Sequence, residues 1–474
     1  MLYLGIYPED HTIRKKDLVR QWAAEGFPCN VRGTNLEDVA NSYFNELING
    51  SIQPTEIFNG EVIFCRVHDM MLDLIVHKSR KQKFITVIDD IQEMIRQHDK
   101  IRRLTLHLDG VIDDRVVASV QLSQIRTLAR FGTSSYIPPF QLFKHLRVLT
   151  IEIGTSEGSQ SEAVIDLTRI CHLLQLRYLK IETNLHAVVL PSKIGNLLQL
   201  VTFYIGFRCY IHNENSSIDK MMKRQLREVL RACLEKLCNL KYLTVSSPIM
   251  NPSWCLDVFS KFHPSFCHLK EFCSYGSLFS RIPQWIVHLH NLYDLQLHVK
   301  EVLEDDVGML AQLHSLTFLF LHVKGVPENK IIVRGGGFHV LKRFILGCCR
   351  VSCLTFEAGA MPKLEELMLR FNAHGWDNYG AAPAGIEHLS GLKEIFIDIG
   401  GAGAKESVRR AAEAALRNAT EMHPGRPTAH IECDATSSYR FDDSEPREQD
   451  VDVENMYKEQ QDNAEDKCDR GARA

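Results

Sequence analysis

An apolar residue followed by further apolar residues three and five positions later recurs twelve times between residues 101 and 397, with Arg130 and Ser274 as the only interruptions of the third slot. Ten of the eleven steps between successive sets are 21 to 30 residues long; the other is 40. The last two members of a set share one face of a strand, because side chains alternate along a strand. One such unit cannot bury its apolar face, whereas a stack of units can. The pattern therefore predicts a solenoid. Its sets begin at Ile101, Ile125, Leu146, Leu176, Leu200, Leu240, Leu269, Leu292, Leu316, Leu341, Leu364 and Leu392.

The step length matches the roughly 20–29-residue period of leucine-rich repeats. Residues 190–197 and 282–289 share a return leg with the pattern apolar-Pro-x-x-Ile-x-x-Leu, in which proline sets a bend. We predict an α/β horseshoe of about 12 leucine-rich repeats over residues 101–400, closed by a capping segment over 401–433. The 40-residue step predicts an insertion with polar residues 212–217 and a helix, whose apolar face consists of Met222, Leu226, Val229, Leu230 and Cys233.

The first 80 residues lack the repeat and predict two helices, a hairpin and a third helix. The first helix ends near Gly26, and the second is opened by a capping box at Thr34 and Glu37. Apolar residues mark the buried faces of the two helices: Leu18, Val19, Trp22 and Ala23 on the first, and Leu36, Val39, Ala40, Tyr43, Phe44, Leu47 and Ile48 on the second.

Two strand-like runs, residues 51–58 and 61–67, flank an Asn-Gly pair that suits the tight turn of a hairpin. A third helix is expected to begin at Asp69, whose carboxylate would cap the N–H of Met71 or Leu72. Two helices followed by a two-stranded wing are typical of a winged-helix domain. A linker helix is predicted for residues 81–100.

Charge argues against nucleic-acid binding, which many winged helices perform. Residues 1–80 contain eight Lys and Arg against eleven Asp and Glu, and the whole chain has a formal net charge of −4. Phosphate neutralisation dominates nucleic-acid affinity, so an acidic module contributes little to it. We therefore expect the wing to make protein or nucleotide contacts, with DNA as the less favoured alternative.

Bulk features favour a soluble protein of a reducing compartment. No segment resembles a signal peptide or a membrane span of roughly 20 apolar residues. The 14 cysteines are scattered and include no C-x-x-C pair, so free thiols and no metal site are expected. No nucleophile and base stand at an interpretable spacing, so we expect no catalysis. A cytoplasmic location follows, with nuclear or membrane-peripheral pools as further possibilities.

Two motifs resemble a known family. Residues 2–10, Leu-Tyr-Leu-Gly-Ile-Tyr-Pro-Glu-Asp, continue into Leu-Val-Arg-Gln-Trp-Ala-Ala-Glu-Gly-Phe at 18–27, and Val67-His68-Asp69-Met70 follows. This order resembles the winged-helix part and the Met-His-Asp motif of plant nucleotide-binding leucine-rich-repeat (NB-ARC LRR) disease-resistance proteins of the coiled-coil class, especially cereal members. The resemblance implies an innate-immunity receptor whose repeats sense a pathogen effector or a guarded host protein and regulate a nucleotide switch.

In that family the motif histidine contacts the β-phosphate of ADP, so the resemblance implies this role for His68, with Val67 in the winged-helix core and Asp69 capping the helix. The position agrees with the chemistry, since a helix start favours an anion. The alternative is a polar histidine at a strand–helix corner. The sequence contains no Gly-x-x-x-x-Gly-Lys-Ser/Thr loop. The expectation is an N-terminally truncated member without its nucleotide-binding and coiled-coil partner domains, and without a cofactor of its own.

Residues 400–407, Gly-Gly-Ala-Gly-Ala-Lys-Glu-Ser, imitate a phosphate-binding loop between a strand and a helix. Alanine precedes the lysine, and Glu406 at the helix start would compete with phosphate. We therefore interpret the segment as the turn into a capping helix over residues 407–418, with Val408, Ala411, Ala415 and Leu416 facing inward.

Side chains between the buried leucines of each strand point to the concave face. Aromatic and charged residues there have the composition of protein-binding hot spots. The candidate protein-binding residues are Tyr178, Lys180, Tyr204, Tyr242, Asp294, Gln296, Phe318, Phe320, His322, Met368 and Arg370, with Glu182 and Thr244 beside them. A scaffold that recruits substrates to another machine, such as a ubiquitin ligase, is the alternative function. Residues 434–474, with thirteen acidic against six basic residues, predict a disordered, solubilising tail.

Overall fold

A computed structural model describes residues 1–28, 35–48, 50, 52–58, 60–88, 101–109, 122–154, 164–183, 187–191, 193–207, 217–246, 268–324, 330–349, 351–373, 376 and 381–436. The described chain divides into two compact units. The first comprises residues 1–191 and 199–202, and the second begins with residues 192–198 and continues from Phe203. The predicted acidic tail beyond residue 436, the loop of residues 212–216 and the capping-box residue Thr34 lie outside the described residues.

The first unit opens with the winged helix. A 3-10 turn, Leu2–Ile6, and strand β1, Ile13–Arg14, precede helices α1, Lys15–Glu25, and α2, Leu36–Ile48. Strands β2, Gln53–Phe58, and β3, Glu61–Arg66, form the wing in the antiparallel order β1-β3-β2, and helix α3, Asp69–Lys81, follows. The winged-helix prediction is confirmed.

Backbone conformation sets the ends of these elements. Gly26 ends α1 in the left-handed region, with its N–H donated to the Trp22 carbonyl at 3.1 Å. Gly60, also left-handed, closes the two-residue turn between Phe58 and Glu61. One core is shared by α1, α2, β3 and α3, and its residues include Leu18, Val19, Trp22, Phe44, Cys65, Val67, Leu72 and Ile75.

The repeats of the first unit contribute five parallel strands. They are β4, Thr86–Ile88; β5, Arg103–His107; β6, Thr127–Phe131; β7, Val148–Ile153; and β9, Tyr178–Thr183. On the return legs, β8, Val164–Asp166, and β10, Ala187–Val189, form a separate parallel pair. The predicted linker helix is wrong at residues 86–88, which add a strand beside β5, and Ile85 and Ile88 are buried there. Residues 89–100 lie outside the described chain.

The second unit also contains parallel strands. Its strands are β11, Thr202–Phe207; β12, Tyr242–Ser246; β13, Glu271–Phe279; β14, Asp294–Val299; β15, Phe318–Val323; β17, Arg343–Cys348; β19, Glu366–Asn372; β20, Glu394–Gly400; and β21, Thr428–Asp434. Strands β16, Ile331–Val333, and β18, Leu354–Phe356, pair on the return legs. Helices α4, Ser217–Lys236; α5, Glu304–Leu310; and α6, Glu406–Glu421, complete the unit.

Strand register confirms the repeat pattern. The middle members of successive sets, Leu295, Leu319, Phe344, Leu367 and Ile395, stand directly opposite one another and are buried. Aligned apolar side chains therefore stack into one continuous ladder, which is how units too small to fold alone share a core. The predicted face of the inserted helix is likewise buried at Leu226, Val229, Leu230 and Cys233.

Arg130 occupies a leucine slot of the first unit and is 1% exposed. Its Nη1 donates to the carbonyls of Gly132 at 2.9 Å and Glu152 at 3.3 Å. Burial lowers the pKa of Arg130 to about 10, and Asp109 opposes that shift. The guanidinium thus donates hydrogen bonds to backbone carbonyls at a position that is apolar in most of the other repeats.

The last repeat is capped by α6 and β21. The buried residues of α6 are Val408, Ala412, Leu416 and Thr420, so Ala415 is only half-buried and the prediction of an inward Ala411 is wrong. A spacing of four keeps one stripe on the solenoid, and Ala411 falls one position off that stripe. A Cβ on Gly401 would lie 2.7 Å from the Asp434 carbonyl oxygen, so this glycine permits the close approach of β21.

Candidate functional site: the nucleotide motif and the concave faces

His68 lies at the corner between β3 and α3 with an exposed side chain. Its carbonyl accepts hydrogen bonds from the N–H groups of Met71 at 2.8 Å and Leu72 at 2.9 Å. Val67 is buried in the winged-helix core, as its place in the motif predicts. The prediction for Asp69 is wrong: His68 is the extended N-cap residue, and Asp69 is already the first helical residue. Its carboxylate therefore lies in the first turn and makes no cap.

The imidazole of His68 lines an open cleft of about 690 Å³. The other described lining residues are Ile48, Gly50, Ile52, Gln53, Met70 and Met71, and Met70 is 79% exposed. An exposed imidazole at a helix N-terminus can donate to an anion, and the helix dipole assists. The cleft thus presents a hydrogen-bonding group on an apolar surface.

Helix α1 packs against the concave face of the repeats in the first unit, an arrangement that the sequence did not predict. Glu25 at its end is buried and accepts hydrogen bonds from Arg103 Nε at 2.7 Å and Thr127 Oγ1 at 2.7 Å. Arg147 Nη1 donates to the Glu25 carbonyl at 2.9 Å. Residues on β5, on β6 and directly before β7 therefore all bind the C-terminal end of α1.

The Arg103 guanidinium also lies near two aromatic rings that stack on each other, 4.8 Å from the centroid of Phe27 and 4.1 Å from that of Phe84. Phe27 follows α1 and Phe84 precedes β4, so the cation joins the winged helix to the first repeats. Contact with aromatic rings stabilises a guanidinium that has lost most of its water. The sequence signal was a basic residue at a concave strand position that normally stays in solvent.

Lys180, on β9, forms the second contact with α1. Its Nζ lies 2.8 Å from Glu152, 3.2 Å from Glu182 and 3.5 Å from Asp17 of α1. Burial alone would lower the pKa of Lys180, but the three carboxylates raise it well above 10.5. Tyr178, on the same strand, is fully buried with Ala24 and Val148. The prediction that Tyr178 and Lys180 bind a partner from an open surface is wrong, because α1 covers them.

In the second unit the concave face is more open, although three of its predicted residues are buried. Tyr242, Asp294 and Met368 are 2–3% exposed, so their prediction as contact residues is wrong. Asp294, for example, accepts a hydrogen bond from Gln296 Nε2 at 2.9 Å. Glu182 and Thr244, also placed on the open face by the sequence, are buried as well. The half-buried predicted residues of this unit are Tyr204, Gln296, Phe318, Phe320, His322 and Arg370.

Aromatic and imidazole rings form a row across β13, β14 and β15. His298 and His322 stack with centroids 4.7 Å apart, and His298 also lies 5.5 Å from Phe320 and 5.9 Å from Tyr275. Burial and the neighbouring His322 hold the pKa of His298 well below 6.5. His298 is therefore neutral at pH 7 and contributes a flat ring.

Ion pairs border this row on the later strands. Arg343 Nε lies 2.8 Å from Glu366, and Arg370 Nε lies 3.0 Å from Asp398. The Arg343 guanidinium also lies 5.8 Å from the centroid of Phe318. We name the set formed by Tyr275, His298, Phe318, Phe320, His322, Arg343 and Arg370 the aromatic row. Tyr275 and Arg343 were missed by sequence reasoning. Tyr275 donates its hydroxyl to Gln296 Oε1 at 2.8 Å, and Arg343 stands in register opposite Phe318.

Within the described ranges, no three His, Cys, Asp or Glu residues are grouped so that they could hold a metal ion. The same ranges include no helix with the length and apolarity needed to cross a membrane.

The fold combines a winged helix with leucine-rich repeats, and comparison with known proteins finds the same two regions. Residues 6–75 match the disease resistance protein winged helix domain, and residues 207–429 match a leucine-rich repeat region. The rice (Oryza sativa subsp. japonica) disease resistance protein RGA5 is 33% identical over 90% of this chain and 44% of its own length. Rice PIK6-NP is 36% identical over 43% of this chain and 19% of its own length.

The chain therefore belongs to the plant disease resistance protein family, of which it contains the winged-helix and leucine-rich-repeat regions. This confirms the resemblance to cereal members. A tomato relative (Solanum lycopersicum), ToMV resistant protein Tm-2 netted virescent, is 28% identical over 49% of this chain and 28% of its own length. The chain spans less than half the length of each of these relatives.

Proposed function

We propose that this chain is the sensing and restraining part of a plant innate-immunity receptor and that it acts by binding, without catalysis. The repeats would recognise a pathogen effector or a guarded host protein in the cytoplasm and regulate a nucleotide switch. The observation that supports this proposal is the docking of α1 on the concave face of the first repeats through Glu25 and Lys180. A sensor can regulate a switch only through a contact whose stability differs between two states.

Helix α1 connects the repeats to the nucleotide motif. Its Leu18 and Trp22 share a core with Leu72 and Ile75 of α3, whose first turn follows His68. Undocking α1 would expose Glu25 and Asp17 and would alter the packing beneath α3. A ligand that favours the undocked state would therefore shift the position of His68.

We further propose that His68 contacts an ADP phosphate when the chain also contains a phosphate-binding loop and its lysine. In that context the exposed imidazole would donate to a phosphate oxygen, and α3 would present its N-terminus to the same anion. Met70 and the apolar cleft would face the nucleotide-binding domain. The described residues by themselves supply one imidazole, so little ADP affinity is expected of this chain alone.

For partner recognition, the aromatic row of the second unit is the favoured surface. It combines half-buried rings with guanidinium groups already held in place by Glu366 and Asp398, so little side-chain freedom is lost on binding. The partner would be a protein that offers apolar and acidic groups.

The experiment is calorimetry of ADP binding to this chain and to the same chain extended by its upstream reading frame. We expect binding only by the extended form, weakened at least tenfold by His68→Ala. The control is His77→Ala, an exposed histidine on α3 that lies outside the first turn. ADP binding that His68→Ala leaves unchanged would contradict the phosphate contact.

A second assay tests the restraint. In the extended form, Lys180→Glu places a fourth carboxylate among Asp17, Glu152 and Glu182 and should release α1. We expect faster hydrogen exchange in α1 and faster ADP release. Lys241→Glu, the same charge change at an exposed position of another repeat, is the control. Unchanged exchange and release in Lys180→Glu would refute the restraint.

A further inference from the structure

The outermost strand of the second unit, β21, pairs with β20 on one side, and no described strand lies on its other side. Open strand edges are normally protected by lysine, proline, a bulge or very short length. Strand β21 has seven residues in continuous register and contains no Lys, Arg or Pro. Its charged residues, Glu432 and Asp434, are both acidic, and the edge has none of these four protections.

Hydrogen bonds show which backbone groups face the open edge. Thr428 donates its N–H to the Lys393 carbonyl at 2.8 Å, and the Asp434 carbonyl accepts from the Gly401 N–H at 2.6 Å. In a parallel ladder alternate residues direct both backbone groups to the same neighbour. The even-numbered residues from 428 to 434 thus face β20, and Ala429, Ile431 and Cys433 present their N–H and C=O groups outward.

We propose that this edge joins two copies of the chain by antiparallel pairing of β21 with β21, centred on Ile431. Ile431 would then exchange two hydrogen bonds with Ile431 of the second copy. Ala429 and Cys433 would do the same with each other across the two-fold axis. All three outward residues of each copy find partners, which gives six backbone hydrogen bonds.

Side chains favour this register. Thr428, His430, Glu432 and Asp434 are exposed and share one face of β21. In the proposed pairing, His430 lies opposite Glu432 of the second copy, and this occurs twice. These positions are the non-hydrogen-bonded pairs, in which side chains approach most closely.

Sliding one copy of β21 by two residues in either direction keeps the outward backbone groups facing each other but loses this complementarity. It places His430 opposite His430 or Glu432 opposite Glu432, and it leaves fewer outward groups paired. Half-buried Ala429, Ile431 and Cys433 lie on the other face, where Ile431 would pack against its symmetry mate. The edge is thus self-complementary in hydrogen bonding, charge and apolar contact.

The test is sedimentation equilibrium of the whole chain from about 1 to about 100 µM. We expect a mass that rises with concentration from 54.2 kDa toward twice that value. His430→Glu sets like charges opposite each other at both pairs, and we expect dimer affinity to fall roughly tenfold. His430→Glu combined with Glu432→Lys restores opposite charges and should restore association. Glu421→Lys, on the exposed face of α6, is the control and should associate as the wild type does.

Each alternative result is decisive. A wild-type chain that remains monomeric throughout the range overturns the proposal, as does a dimer that His430→Glu leaves unchanged. Failure of the double variant to recover association would show that the edges do not meet in this register. Circular dichroism of every variant confirms that α6 and β21 remain folded.

Discussion

The concave faces of the two units are built from the same repeat and differ in what covers them. In the first unit, concave Arg103 and Thr127 are buried, Lys180 is half-buried, and all three are engaged in internal polar contacts under α1. In the second unit, the corresponding positions of β14 and β15 hold half-buried Gln296, Phe318, Phe320 and His322. One repeat geometry thus serves an internal contact and an open surface.

The difference teaches that exposure on a solenoid is decided by what the rest of the chain places on it. Buried polar groups in the first unit are matched to α1, so the cost of their desolvation is offset only while α1 is docked. The aromatic row keeps its rings at the surface and its arginines paired along the sheet. The polar contacts of the first unit thus depend on the docking of α1, whereas the aromatic row is held in place by contacts within the sheet itself.

The strongest test of this comparison is Arg103→Ala. It leaves Glu25 buried without its cation, and we expect the first unit to lose about 3–5 kcal/mol of unfolding free energy. Hydrogen exchange measured on separate peptides reads the two units independently. The control is Lys393→Ala, which removes the exposed pair with Glu365 and should change exchange little. Equal, small effects would mean that α1 is not held by this contact.

A second, smaller effect is expected from Lys180→Met, which retains length and removes charge. Asp17, Glu152 and Glu182 then repel one another, and we expect a loss of about 2 kcal/mol at pH 7. Because the pKa of Lys180 is raised on folding, its contribution is fully present below 10.5 and is lost as pH rises through the folded value. The difference between wild type and Lys180→Met should therefore be constant from neutral pH to about 10 and shrink above it. A difference that grows in alkali would contradict the assignment.

Phe320 and Leu321 sharpen the comparison from the second unit, since adjacent residues face opposite sides of β15. Phe320→Ala should cost only about 1 kcal/mol, because the ring is half-buried on the concave face. Leu321→Ala, at 2% exposure, should cost about 2–5 kcal/mol through the cavity it leaves. Urea denaturation monitored by hydrogen exchange measures the loss of unfolding free energy in each variant. Similar costs would show that the aromatic row is part of the core.

The smallest stability effect is expected at His68. His68→Ala removes an exposed side chain that makes no cap hydrogen bond, so thermal unfolding should shift by less than about 1 °C. Val67→Ala, one residue earlier, removes buried volume and should destabilise the winged helix by about 1–2 kcal/mol. A large effect of His68→Ala on folding would argue for a structural histidine.

Most of the fold could be predicted because each repeat contains the apolar spacing that marks its strand. Apolar spacing located the strands of the described repeats, and Gly26 and Gly60 marked turns by a conformation that other residues avoid. Local errors came from rules that fix an element only to within a residue or two: Asp69 took the first helical position in place of the cap, and the inward stripe of α6 includes Ala412 and excludes Ala411.

Prediction of the site was less complete because burial depends on partners distant in sequence. Lys180 meets Asp17 across 163 positions, and Glu25 meets Arg103 across 78. A strand residue between two leucines carries the same local signal whether a helix covers it or solvent does. Tyr178 and Phe320 therefore look alike in sequence and differ in the structure.

By itself, the sequence determined the repeat architecture, the winged helix and the family, because short-range periodicity and turn chemistry are written into adjacent residues. Tertiary structure alone decided that α1 covers the first repeats, that Lys180 is an internal cation and that β21 ends with an open edge. Those features arise from contacts between segments far apart along the chain, and the free energy of such contacts depends on geometry that local patterns do not contain.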